Sequence, residues 1–108
     1  MVTSVPIACT LTADAIDDRR EEWRAVFSTM VEKVERRENQ ATLTLSRGPD
    51  VLLTVADLAE REKACCAFFE FSIHLEGIDA LLLIEVPAEA DPMLTGLLSL
   101  LPEKLQPR

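Results

Sequence analysis

The residues best equipped for chemistry in this chain are Glu62, Cys65 and Cys66. On a helix, Glu62 precedes the two cysteines by three and four positions, spacings that put its carboxylate on the face carrying both sulfurs. Leu58 and Phe69 flank that face, so Glu62 is expected to be partly buried. A carboxylate rarely occupies an inward stripe without a partner. Neighbouring helical side chains diverge by about 100°, yet two sulfurs can flank one centre lying over the groove between them. A disulfide joining adjacent Cys65 and Cys66 would fit a regular helix poorly.

Cys9 is the one remaining cysteine. It is expected on the first strand, from where it would complete a three-thiolate metal site of Cys9, Cys65 and Cys66. Glu62 would stand behind the sulfurs or act as an occasional further ligand. Thiolates are soft donors that match Hg(II), Cd(II), Zn(II), Cu(I) or As(III). A pair of carboxylates alone would instead favour calcium or magnesium.

Other readings compete with this one. Cysteine is among the most buried residue types and often only packs, although packing leaves the acid on the stripe unexplained. A thiol-based redox or small-molecule enzyme would react at Cys65 or Cys66 and use Glu62 to carry the proton. No Cys-x-x-Cys pair supports a structural zinc site. Three glycines and one histidine leave little for a phosphate-binding loop or His-based catalysis. Both sulfurs fall near a helix C-terminus, where the dipole disfavours a thiolate and argues against a cysteine hydrolase. His74 falls on the polar side of its strand and reads as exposed. Phe68, Phe69 and Phe71 read as core that could keep a thiol site dry, and Trp23 as core with its N–H near the rim.

The elements that must position these groups follow from periodicity. Val5 to Leu11 reads as a short strand with Pro6 at its start. Thr12 looks like an N-cap, followed by Asp14, Asp17 and Asp18 in the first turns. Ile16, Trp23, Phe27, Met30, Val31 and Val34 fall on one face at 3–4 spacing, which predicts a helix ending near Glu38-Asn39. Ala41 to Leu45 alternates and reads as a half-buried strand, and Arg47-Gly48-Pro49-Asp50 is a turn. Val51, Val55, Leu58, Glu62, Cys65 and Phe69 then form a helical stripe. Phe71, Ile73 and Leu75 alternate as a strand, Glu76-Gly77-Ile78-Asp79 is a hairpin turn, and Ala80 to Val86 reads as a central strand covered on both faces. Asp91 as N-cap and Pro92 open a last helix running through Leu101. The order β-α-β-α-β-β-α predicts an α+β two-layer sandwich with a mostly antiparallel four-stranded sheet and three helices. The leucines of the last helix (Leu97, Leu98, Leu100, Leu101) could cover an edge or form a homodimer contact.

Composition bounds the function. The chain has 108 residues, suits one domain over its whole length, and is 48% apolar, enough to build a core. Its net charge of −8 repels phosphate backbones, so nucleic-acid binding is not expected. From residue 65 onward the only Lys or Arg residues are Lys104 and Arg108, which makes the C-terminal half the more acidic. No apolar run is long enough for a membrane span, and the N-terminus lacks a basic region and apolar stretch for a signal peptide. A cytoplasmic protein with reduced thiols is the expectation.

Ile7-Ala8-Cys9-Thr10-Leu11, the Arg/Glu/Trp helix and Glu62-x-x-Cys65-Cys66-x-Phe68-Phe69-x-Phe71 resemble a small bacterial domain family. Its members occur alone or fused behind MerR-type regulators, which respond to heavy metals or other stress. The resemblance spans Cys9 to Leu101 and implies a stress-related, free-standing domain that binds a soft metal or metalloid ion for sequestration or sensing. Ala67 stands where many relatives have Pro, a departure that removes no ligand.

Overall fold

The structure, a computed structural model, describes residues 12–107, so the predicted strand Val5–Leu11, with Cys9, lies outside the described residues. Helix α1 (Ala13–Met30) opens as expected: the Thr12 hydroxyl accepts a hydrogen bond from the Ala15 N–H at 3.3 Å, and Asp14 lies in the first turn. Trp23, Val26 and Phe27 form its buried face.

The helix does not continue to Glu38-Asn39. It stops at Met30, and Val31 is already extended, opening strand β1 (Val31–Arg37). Val31 and Val34, three residues apart, mimic a helical repeat. The pairing of β1 with β2 (Gln40–Leu45) slips between Val31 and Lys33. A bulge of this kind adds one residue to a strand, so Glu32 and Lys33 are both exposed while Val31 and Val34 turn inward. The Glu38-Asn39 pair forms the β1–β2 hairpin turn, with Glu38 in the left-handed region at φ 54°.

Helix α2 (Pro49–Cys65) starts with Pro at its first position and buries Val55, Leu58, Ala59, Glu62 and Cys65, the predicted stripe. It ends before Phe69, which belongs to the following turn. Strands β3 (Glu70–Glu76) and β4 (Asp79–Glu85) form the predicted hairpin, with Gly77 at φ 57° supplying the left-handed residue. The sheet order is β1-β2-β4-β3 and every pairing is antiparallel.

Across β2 and β4, Leu43 faces Leu82, Ala41 faces Ile84 and Leu45 faces Ala80, all buried against the helices. The opposite face, with Thr42, Thr44, Leu81 and Leu83, is only half-buried. β4 is thus central, as expected, but not sealed on both sides. The fold is the expected α+β sandwich with a four-stranded antiparallel sheet and three helices.

Helix α3 (Asp91–Leu98) follows a 3₁₀ turn over Ala88–Ala90, so Asp91 is inside the helix rather than its cap, and the helix stops short of Leu101. Arg36 of β1 holds it in place, donating to Asp91 Oδ1 at 2.6 Å and to Thr95 Oγ1 at 2.7 Å. Leu94, Leu97, Leu98 and Leu101 are buried within the chain, and Leu100 is partly buried against the same core. No helix among the described residues is long and apolar enough to cross a membrane.

Candidate metal centre

Glu62, Cys65 and Cys66 converge under α1, all three buried, with one ligand atom from each lying within 4.8 Å of the others. Cys65 ends α2. Cys66 caps it at φ −128°, ψ 74°, outside helical geometry, while its N–H still donates to the Glu62 carbonyl at 2.7 Å. This departure from the helix removes the divergence that a continuous helix imposes on adjacent side chains. The two Sγ atoms consequently approach to 3.6 Å, well beyond the length of a disulfide bond. Lys63 steadies the turn that follows, donating to the Ala67 carbonyl at 2.7 Å and to Glu70 Oε1 at 2.9 Å.

The carboxylate is held from the far side by α1. Trp23 Nε1–H donates to Glu62 Oε1 at 2.6 Å, and an Arg19 guanidinium nitrogen lies 3.8 Å from the same oxygen. The other oxygen, Oε2, lies 3.6 Å from Cys65 Sγ. Arg19 also donates to Cys65 Sγ at 3.5 Å. A cation therefore sits beside the sulfur that the α2 C-terminus would otherwise disfavour as a thiolate.

Aromatic rings pack beside the cluster, with Trp23, Phe68 and Phe69 sharing a wall with Glu62 and Cys66. Trp23 stacks on Phe71 with centroids 5.9 Å apart, Phe69 on Phe71 at 5.6 Å, and Phe68 lies 4.7 Å from Phe69. Phe68 and Phe69 are buried, as expected of core residues that keep thiols dry. A cavity of about 400 Å³ opens onto the site between α1 and α3. Its walls include Ile16, Phe68, Leu97 and Leu100, with Arg19, Glu62 and Cys66 among its polar members.

Among the described residues the cluster is two cysteines and a glutamate, not three cysteines; the expected third ligand, Cys9, lies outside them. Of the two arrangements expected for Glu62, behind the sulfurs or as a further ligand, its carboxylate oxygen within 4.8 Å of both sulfurs fits the second. Trp23 was expected in the core with its N–H at the rim, but that N–H is the acid's partner. Arg19 carries no expectation of its own in the sequence. Its position four residues before Trp23 put both on one side of α1, the one sequence signal that could have found it. His74 is exposed on β3, as expected.

The sulfur separation constrains the chemistry. With metal–sulfur bonds of about 2.3 Å, a 3.6 Å spacing corresponds to an S–metal–S angle of roughly 100°. That angle suits a tetrahedral or pyramidal centre. A linear two-coordinate ion would need the sulfurs roughly 4.6 Å apart on the same bond length. Comparison with protein-family models, curated proteins and solved structures finds no match to this chain.

Proposed function

We propose that this protein binds a soft metal or metalloid ion at Glu62, Cys65 and Cys66. The observation that carries the reading is the convergence of two thiols and a carboxylate in one buried site. Soft sulfur donors select Cd(II), Zn(II), Hg(II), Cu(I) or As(III) over hard cations. The roughly 100° angle favours Cd(II), Zn(II) and As(III) over the linear geometry of two-coordinate Hg(II) or Cu(I). Sequestration or sensing in the cytoplasm, in a relative of the MerR-associated family, is the role this chemistry suits. Titration of reduced protein with Cd(II) and arsenite tests it, followed by thiolate-to-metal absorption and proton release. One ion per chain is expected, with Cys65→Ser and Cys66→Ser each losing affinity by at least tenfold. Equal binding by wild type and both variants would remove the cluster from the site.

A second reading rests on the contact of Glu62 Oε2 with Cys65 Sγ and on Arg19 beside the same sulfur. In it, Cys65 is a reactive thiol in a redox or small-molecule enzyme and Glu62 carries its proton. Alkylation rate against pH separates the two: this reading requires one thiol to ionise below the unperturbed ~8.5.

A further inference from the structure

The cavity beside the cluster has no task in binding a bare ion. The site offers sulfur and carboxylate on one side, and beyond them a wall that is mainly apolar, with Arg20, Arg24 and Ser99 also lining it. Cys66 and Glu62 form part of the cavity wall, and Cys65 is within 3.6 Å of both. Any ligand joined to the sulfurs from the open side therefore extends between Ile16, Phe68, Leu97 and Leu100. At about 400 Å³ the space accommodates an aryl or short alkyl group.

Arg19 narrows the choice further. Its guanidinium lies 3.5 Å from Cys65 Sγ and 3.8 Å from Glu62. It offsets part of the negative charge by which two thiolates and a carboxylate would draw a divalent cation. A trivalent metalloid bonded covalently to two sulfurs and one carbon is neutral. It leaves Glu62 paired with Arg19 and Trp23, and its pyramidal angles match the roughly 100° set by the sulfur spacing.

We propose, as a deepening of the ion-binding reading on which it rests, that the site takes a mono-organyl arsenic(III) species, with its organic substituent in the cavity and its arsenic on Cys65 and Cys66. The capture step is a condensation. Each S–H proton leaves with one arsenic-bound hydroxyl as water while an As–S bond forms, so R–As(OH)₂ and two thiols give R–As(S)₂ and two waters. Arsenic stays trivalent and nothing is oxidised or reduced. Glu62 Oε2, against Cys65 Sγ, is placed to relay the proton from that thiol to the departing oxygen.

Gly96 provides the test. It lines the cavity, and a Cβ built there meets no atom within 4 Å, so a larger side chain is tolerated at the cavity wall. Phenylarsine oxide, arsenite and Cd(II) are titrated against reduced wild type, Gly96→Phe, Gly96→Ala and Cys66→Ser, with bound species read by intact mass and affinity by dithiol competition. Wild type is expected to take one phenylarsenic group per chain, held at least tenfold more tightly than arsenite. Gly96→Phe is expected to lose that tenfold preference while binding arsenite and Cd(II) within twofold of wild type, and Gly96→Ala to keep it. Unchanged phenylarsine binding in Gly96→Phe, or equal weakening of all three probes in a folded variant, would overturn the proposal and leave ion binding standing. Failure of wild type to bind any of the three, or indifference to Cys66→Ser, would overturn the ion-binding reading itself.

Discussion

The indole N–H of Trp23 donates to Glu62 Oε1 at 2.6 Å, a buried hydrogen bond that joins α1 to α2 across 39 positions of sequence. It answers the question posed by an acid on an apolar stripe: the partner is a neutral donor supplied by another helix, with a guanidinium behind it.

Removing that donor leaves a buried carboxylate oxygen short of a partner. Trp23→Phe is expected to destabilise the fold by about 1–3 kcal/mol, beyond any packing loss. Urea unfolding of Trp23→Phe, Glu62→Met and the double variant measures it, since each single change removes the bond. A coupling energy indistinguishable from zero in that cycle would show that the bond contributes nothing.

Arg19 places positive charge 3.5 Å from Cys65 Sγ. Arg19→Met keeps the apolar stem and removes the charge. Alkylation of Cys65 at neutral pH should slow several-fold, because only the thiolate reacts. Peptide mapping after iodoacetamide pulses gives the rate at each cysteine, and an unchanged rate at Cys65 counts against this role.

Glu22 and Arg61 bridge α1 and α2 on the surface, with Arg61 nitrogens 3.0 and 2.6 Å from the two Glu22 oxygens. The hydrogen bond from Arg61 holds the Glu22 carboxyl below its ordinary 4.5, against a smaller opposing effect of burial. A lowered folded value means the bridge stabilises above pH 4.5 and is lost as pH falls through that lower value. Both side chains are 42% exposed, so solvent screening limits the contribution to about 1 kcal/mol at most. Wild type should exceed Glu22→Gln by up to that amount at neutral pH, and the gap should close in acid. A gap that widens on acidification would contradict the assignment.

Glu38 occupies the left-handed region at φ 54°, where an L side chain costs about 1–2 kcal/mol. Glycine removes that cost but has more freedom to lose on folding, roughly 0.5–1 kcal/mol. Glu38→Gly should therefore raise stability by up to about 1 kcal/mol, seen as a Tm increase of a few degrees. A lower Tm would place the Glu38 side chain in a stabilising contact.

What the sequence determined by itself is local. The α2 stripe carries Glu62 inward because a 3.6-residue repeat fixes which side chains share a face, and the β3–β4 hairpin follows from alternation around Gly77. The same repeat misled at Val31 and Val34, because three-residue spacing fits either a helix or a bulged strand. Pairing with β2 decided for the strand, and pairing is not a local property.

Tertiary structure decided how the site is assembled. Cys66 leaves the helix, so the sulfurs meet at 3.6 Å instead of diverging. Arg19 and Trp23 reach Glu62 and Cys65 only because α1 packs over α2, and α3 closes the cavity above them. Such contacts depend on how faces are stacked, which periodicity along one segment does not encode.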